Sequence, residues 1–390
     1  MTREFRRVFT DVGVIVFFFV VPTGYPILYA YLYSRETVHE VPVVAVDDCH
    51  SSLSREFLRK TDASPDVRIV AYCSDMEEAK EIMHRHKAYA LIEIPSNFSS
   101  EIVGGRQATV NLYCDMSGLL FYKAAYSACS HVSLDMNKDI KLQRLAGMTE
   151  EQSVNLVQAI EYEYVPLYNP QAGFCSYIIP AVVVIVLQQT LLLGITMLEG
   201  TEEEYRRKKI YRFRFESDNP MALPSAVLIG KALCYLAVYS VLAVYLLCFI
   251  PKLFDLPTIW QAKDLLLFAL PLLLACIFFA ISMSYFVKYR EACFLLFVFA
   301  SVPLMFISGI SWPQSNIPSF WKIFSGLFPS TFGINGFIRL SSNGATLLDV
   351  RREWMCLWIQ ALSYMAISML VFSIRYRQVR TVMETDGDAN

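Results

Sequence analysis

The sequence predicts a polytopic α-helical membrane protein with one polar α/β domain, and three observations lead to that class. The chain of 390 residues is 55% hydrophobic and 18% charged, with a mean hydropathy of +0.39, and its apolar residues gather in runs. Two of these runs, Phe174–Leu198 and Ala226–Ile250, are long enough to cross a bilayer, which takes about 20 residues. The stretch between them, EGTEEEYRRKKIYRFRFESDNPMALP (Glu199–Pro224), carries six basic residues: Arg206, Arg207, Lys208, Lys209, Arg212 and Arg214. A short loop this basic between two spans belongs on the cytoplasmic side.

Residues 1–11 (MTREFRRVFTD) alternate Arg3, Arg6 and Arg7 with Phe5, Val8 and Phe9. They read either as an amphipathic helix at the cytoplasmic interface or as a positive flank that orients the first span. That span, 12–33, has no A-x-A cleavage site and contains Pro22, Gly24 and Pro26, so it reads as retained. Residues 34–173 are a different material. VPVVAVDDC, VRIVAYC, AYALIEIP and ATVNLYCD read as strands, alternating with helices capped by Ser52 and Asp75. That is the cadence of βαβ units and a parallel sheet. From about Gly118 to Glu161 the pattern turns helical through Leu134, Leu142, Leu145, Val154, Leu156, Val157 and Ile160, as a stalk broken near Gly147.

The second span is 174–198, the basic loop 199–224, and spans three to five fill 225–311, the fifth being Ala292–Ser311. Residues 312–353 are too apolar for a free loop and too broken by Pro313, Pro318 and Pro329 to span. They read as a re-entrant or interfacial pair of short helices, anchored by Trp312 and Trp321. The last span is 354–374, and 375–390 is a cytoplasmic tail with a frayed acidic end from Glu384. Six spans with both termini inside place 14 basic residues in cytoplasmic segments against 6 in the short outer ones, as the positive-inside rule asks. Basic residues at membrane edges need no nucleic-acid partner.

The chain has no GxxxxGK[ST] loop to bind ATP, no GxSxG or HExxH, and no paired Cys/His metal ligands. His39, His50, His84, His86 and His131 all fall in the polar domain; His84 and His86 flank Arg85 at i, i+2, which on a helix points them apart, so solvated surface is favoured over a ligand pair. The pair Asp47-Asp48 ends a strand where α/β sheets place crevices, although a turn that is acidic by chance is the favoured reading. Cys49, Cys73 and Cys114 each end a predicted strand and, as neighbours in one sheet, are candidates for a disulfide. Lys231 lies near enough to the cytoplasmic end of its span to snorkel. Glu202, Glu203 and Glu204 ahead of Arg206–Lys209 suggest a charged helix with acid at its N-terminus and base at its C-terminus. Gln188 and Gln189 are adjacent amides in mid-span. They either line a path or hydrogen-bond across a helix–helix or subunit interface, the second being favoured. No ionisable residue lies at midplane, which argues against a proton- or sodium-coupled transporter.

REFRRVFTD, VPVVAVDDCHSSLSREFLR, IPSNFSSEIVGG, LYNPQAGFCSYIIP, VLQQTLLLG and FISGISWPQSNIPSFWKIFSGLFPSTFGINGFIRL occur in that order over nearly the whole chain. In this the chain resembles the permease subunit of an ABC type-2 exporter, of the branch with a large periplasmic domain between helices one and two. The resemblance implies a non-catalytic subunit in the bacterial inner membrane, paired with a second copy or paralogue. It binds no cofactor itself, ATP and Mg belonging to a cytoplasmic ABC ATPase. A periplasmic adaptor and an outer-membrane channel are further implied partners, beside membrane lipid. Cargo would be an amphipathic small molecule, drug, lipid or peptide moving along the dimer interface, near Gln188, Gln189 and Ser308 on helices two and five. The ATPase would touch Arg3, Phe5, Arg6 and Arg7 together with Glu202–Lys209. The chain departs from relatives in one respect: where they carry an acidic-basic-Gly-Thr pattern such as ERERGT, here Gly200-Thr201 precede the charges. The second reading of the sequence is a membrane-anchored receptor or assembly protein whose outer domain binds a ligand or partner.

Overall fold

The computed structural model describes residues 1–144, 167–170, 172–208 and 222–387. It divides into two compact units, one of Met1–Glu36 with Pro166–Asn390 and one of Thr37–Val165.

The first unit is helical. Helix α1 (Thr2–Thr10) stops where Asp11 turns extended, and the Asp11 carboxylate then caps α2 (Val12–Leu32), accepting from the N–H groups of Gly13 and Val14 at 3.0 and 3.3 Å. A wide π turn at Val16–Val20 comes just before Pro22. Proline lacks an N–H and its ring crowds the carbonyl four residues back, and the widened turn accommodates both. The device recurs in α8 (Pro224–Leu253), where a π turn at Tyr245–Phe249 precedes Pro251. Helix α7 (Phe174–Arg207) is the hub, buried almost throughout among α2, α8, α9 (Ala262–Met283), α10 (Ala292–Ile307) and α12 (Pro329–Ser341). Helix α13 (Arg351–Gly387) lies along α9, with Ser282 and Ser368 hydrogen-bonded at 3.0 Å. The backbone is helical to Gly387, so the tail expected to fray from Glu384 continues the last helix over its described part.

Among the described residues, five helices, α2, α7, α8, α9 and α13, are long and apolar enough to cross a membrane. The remaining expected span falls on α10, whose 16 residues reach only about 24 Å. It stops at Ser308 because Gly309 takes φ +95°, a conformation that favours glycine. Between α10 and α12, the short helix α11 (Ser319–Ser325) follows Pro318, and α12 takes Pro329 as its first residue. The chain's exit from this unit and its return are tied together. The Glu36 carboxylate accepts from the N–H and hydroxyl of Ser176 at 3.1 and 2.6 Å, and its carbonyl accepts from Phe174 N–H.

The second unit is a four-stranded sheet in the order β2-β1-β3-β4: β1 (Val41–Asp47), β2 (Val67–Cys73), β3 (Ala90–Ile94) and β4 (Asn111–Cys114). Helices α3 (Ser52–Asp62), α5 (Phe98–Val103) and α6 (Leu119–Arg144) pack on one face, and α4 (Met76–His84) on the other. Ser51, one residue before the expected cap, starts α3 through a reciprocal capping box with Ser54. Asp75 caps α4 as expected. The sheet is mixed, which corrects the parallel expectation: β1, β2 and β3 run parallel, and β4 is antiparallel. The reversal also corrects the grouping of cysteines. Cys73 pairs with Val46 at one end of the sheet and Cys114 with Ala90 at the other, and all ten cysteines are free. The expected stalk begins as α6; its break near Gly147 and Leu145, Val154, Leu156, Val157 and Ile160 lie outside the described residues.

Candidate functional site

Through Arg207, the described charged residues at the basic end of the helical unit are helical and do not form a free loop. Helix α7 continues without a break through Arg207, so Glu202–Glu204 occupy its last turns. The expected separate charged helix, acid at its N-terminus, is thereby corrected. The helical phase turns Glu199, Glu202 and Glu203 inward, and three other helices bring bases to meet them. Lys231 of α8 pairs with Glu199, with Glu202 at 2.9 Å and with Glu4 of α1 at 4.0 Å. Arg7 of α1 reaches Glu4 and Glu202, each at 3.3 Å, and donates to the Leu198 carbonyl at 3.0 Å. Arg375 of α13 closes the set on Glu199 at 3.0 Å and on Glu203 at 4.0 Å. Tyr235 donates its hydroxyl to Glu4 at 2.6 Å. Lys231 is 5% exposed and Glu199 1%, so the lysine expected to snorkel is instead the buried centre of a cluster joining α1, α7, α8 and α13.

Of the residues the sequence singled out, Arg3 pairs with Glu202 at 3.1 Å and Arg206 with Glu203 at 2.5 Å. Arg207 lies over the Tyr289 ring, 5.5 Å from its centroid, and Glu204 accepts from the Arg290 N–H at 2.5 Å. Phe5 stacks on Phe9 at 6.2 Å, while Arg6 and Lys208 are exposed; Lys209, Arg212 and Arg214 lie outside the described residues. Sequence reasoning missed the roles of Glu4, Asp11, Glu199, Tyr235, Arg290 and Arg375. The available signal was a lysine inside an apolar run and acids at inward helical phase, charges that a buried site must neutralise.

A second lock lies beside the first. Arg290 grips Asp11 with both terminal nitrogens, each at 2.6 Å, and Gly13 allows the approach, since a Cβ there would sit 2.7 Å from the guanidinium. The hydrogen bonds from Arg290 hold the Asp11 carboxyl below the usual carboxylate range, against the opposing effect of burial. Burial is the largest influence on Glu4 and pushes its carboxyl up, but the charges of Lys231 and Arg7 outweigh it and the net shift is downward.

A carboxyl lowered by folding contributes stability above its unfolded pKa, about 3.9 for Asp, and loses it as pH falls through the folded value. Asp11→Asn keeps the helix cap. Its melting temperature is expected to lie below wild type at neutral pH and to converge with it on acidification below about pH 4. A gap independent of pH would show that the ion pair contributes nothing.

Away from the basic end, Gln188 accepts the Ser330 N–H at 2.6 Å, while both polar atoms of Gln189 have no hydrogen-bond partner among the described residues. Ser308 is buried, and its hydroxyl donates to Met305 of its own helix at 2.9 Å. Trp312 and Trp321 are exposed, Trp321 stacking edge-on with Phe320 and Phe324. Pro313 starts the helical turn Gln314–Asn316, and its carbonyl accepts from Asn316 N–H.

A family whose members are described as ABC-2 family transporter proteins matches residues 12–370. The chain belongs to the ABC-2 transporter family. No individual curated protein matches it. This ABC-2 chain is therefore a multi-pass membrane permease, and membership implies an ABC ATPase partner. The family match runs through all five long apolar helices and the sheet domain together.

Proposed function

We propose that this permease is an exporter subunit that receives its driving force at the basic end of α1 and α7. In this reading α10 is the sixth span, both termini and the basic end are cytoplasmic, and residues 312–353 form a re-entrant hairpin. The α/β unit faces the periplasm of a bacterial inner membrane, where an adaptor leading to an outer-membrane channel docks. A second copy or paralogue completes the path for an amphipathic small molecule, drug, lipid or peptide. ATP and Mg are bound by the partner ATPase.

One observation carries the coupling role: Arg7, Lys231 and Arg375 join the charged end of α7 to α1, α8 and α13 in a single buried cluster. Buried ion pairs are poor sources of net stability, because desolvation cancels much of the attraction, but breaking one is costly. The cluster therefore favours rigid movement of the four helix ends over their separation. A push on exposed side chains at this end is passed on instead of absorbed locally.

The test uses those exposed side chains and leaves the cluster intact. The double reversal of Arg6→Glu and Lys208→Glu is expected to leave insertion and melting temperature unchanged, and to abolish co-purification of the ATPase and transport. Undiminished association and transport in the double variant would overturn the coupling site. A wild-type chain that brings down no ATPase after gentle solubilisation would favour the receptor or assembly reading.

A further inference from the structure

The turn between α11 and α12 sits deep in the helical unit, and two helices fix its depth independently. Gln188 of α7, bonded to Ser330, lies about 21 Å along the helix from Phe174 and about 16 Å from Glu199. On α13, Gln360 donates to the Gly326 carbonyl at 2.7 Å, and Tyr364 donates to the Leu327 carbonyl. Tyr364 lies about 20 Å from Arg351 and about 16 Å from Arg375. Against a hydrocarbon core of about 30 Å, residues 326–330 lie near the middle. Helix α12 therefore points its N-terminus, the positive end of its dipole, at midplane.

Its first residue, Pro329, has no N–H to offer, and the Ser330 N–H is taken by an oxygen borrowed from another helix, Gln188 Oε1. Among the described residues, three buried polar atoms of the side chains that hold this turn have no hydrogen-bond partner: Gln188 Nε2 and Ser330 Oγ beside that bond, and Oε1 of Gln360, whose Nε2 binds the Gly326 carbonyl. Their residues are 1%, 1% and 8% exposed. Leaving a buried polar group unsatisfied is costly, so three at one helix N-terminal turn mark a place built to receive a polar group. The chemistry on offer is specific. The Ser330 N–H, the Ser330 hydroxyl and the Gln188 amide donate to an oxygen, while Gln360 Oε1 accepts. Among the described residues no Lys or Arg side chain bonds to the turn, so a full anion would lack a counter-charge in a medium that penalises it heavily. The half-charge of a helix end suits a polarised but neutral oxygen.

We infer that the N-terminus of α12, with Gln188 and Gln360, is a mid-bilayer subsite for the uncharged amide or ester carbonyl of an amphipathic cargo. Gln188 holds the site closed with its own amide oxygen and swings aside when the ligand's carbonyl takes its place on Ser330 N–H. The inference rests on the exporter reading and gives its cargo a chemical class.

The full-length permease in nanodiscs, carrying its ATPase, is photolabelled with a decyl chain joined to benzophenone through an amide. Two analogues replace the amide by a carboxylate-bearing link or by plain hydrocarbon. The amide probe is expected to label peptides around Gln188 and Ser330, in competition with unlabelled decyl amide, and the hydrocarbon analogue to label them weakly. Gln188→Met, which preserves volume, and Ser330→Ala, which removes one hydroxyl, are each expected to lower that labelling about tenfold. Equal labelling by the hydrocarbon analogue, stronger labelling by the carboxylate, or undiminished labelling of both variants would overturn the subsite. ATPase co-purification is scored on the same preparations, so failed labelling with the ATPase still bound removes the subsite and leaves the exporter reading standing.

Discussion

Lys231→Met is expected to destabilise the helical unit by about 3–5 kcal/mol, the usual cost of removing one partner from a buried ion pair. The Lys231 ammonium faces Glu4, Glu199 and Glu202, and without it the three carboxylates keep, among the described residues, Arg7, Arg3, Arg375 and the Tyr235 hydroxyl as partners. Methionine matches the length of the lysine stem, so the loss is one of charge and hydrogen bonds, with little change in packing. Detergent-solubilised protein should show a melting temperature lowered by several degrees, and ATPase stimulation by cargo should be lost even at temperatures where the variant is folded. Adding Glu199→Gln removes one of the stranded charges and is expected to recover much of the stability. Recovery of stability without coupling would separate the mechanical role from the structural one. A single variant as stable as wild type would show that the carboxylates find other partners.

The sequence made some layers of this protein plain and hid others, for physical reasons. Apolar runs of about 20 residues and a block of six bases are one-dimensional signals, and they located all five long helices. The strands of the second unit were legible from β-branched runs between caps, but the direction of β4 was not, since the sign of a pairing depends on where the connecting chain returns. Residues 108–115 look the same whichever way they run. The ionic cluster was half visible. Arg3, Arg7 and Glu202 stood out as charges in a basic flank and loop, but Lys231 lies 29 residues from Glu202 and Arg375 lies 176 residues from Glu199, and each meets its carboxylate only when helices pack. The end of α7 was misplaced because Glu199 and Glu202 look like loop residues until Lys231 neutralises them.

The close approach of α2 to α7 yields a prediction of opposite sign to helix propensity. Gly194 lies in the interior of α7, where Gly→Ala alone would favour the helix by about 0.5–1 kcal/mol. A Cβ at that position, however, would overlap the ring of Phe18. The ring has nowhere to go: Phe18 is fully buried, edge-on to Tyr235 and Tyr239 at centroid distances of 6.0 and 5.0 Å, and Tyr239 is itself held by a 3.1 Å hydrogen bond to Thr190. Overpacking of this kind costs about 1–3 kcal/mol, so Gly194→Ala should destabilise the protein on balance and Gly194→Val should do so more strongly. The displacement also has a route to the coupling end. Tyr235 contacts Phe18 on one side and donates to Glu4 on the other, so pushing α2 off α7 shifts the residue that holds α1 in the ionic cluster. Gly194→Ala is therefore expected to lower ATPase stimulation as well as stability. Combining it with Phe18→Leu makes room for the methyl group, and a double-mutant cycle should give a coupling of about 1–2 kcal/mol in the restoring direction. Simple additivity of the two substitutions would mean that α2 and α7 adjust independently, and that the path from Phe18 through Tyr235 to Glu4 carries no displacement.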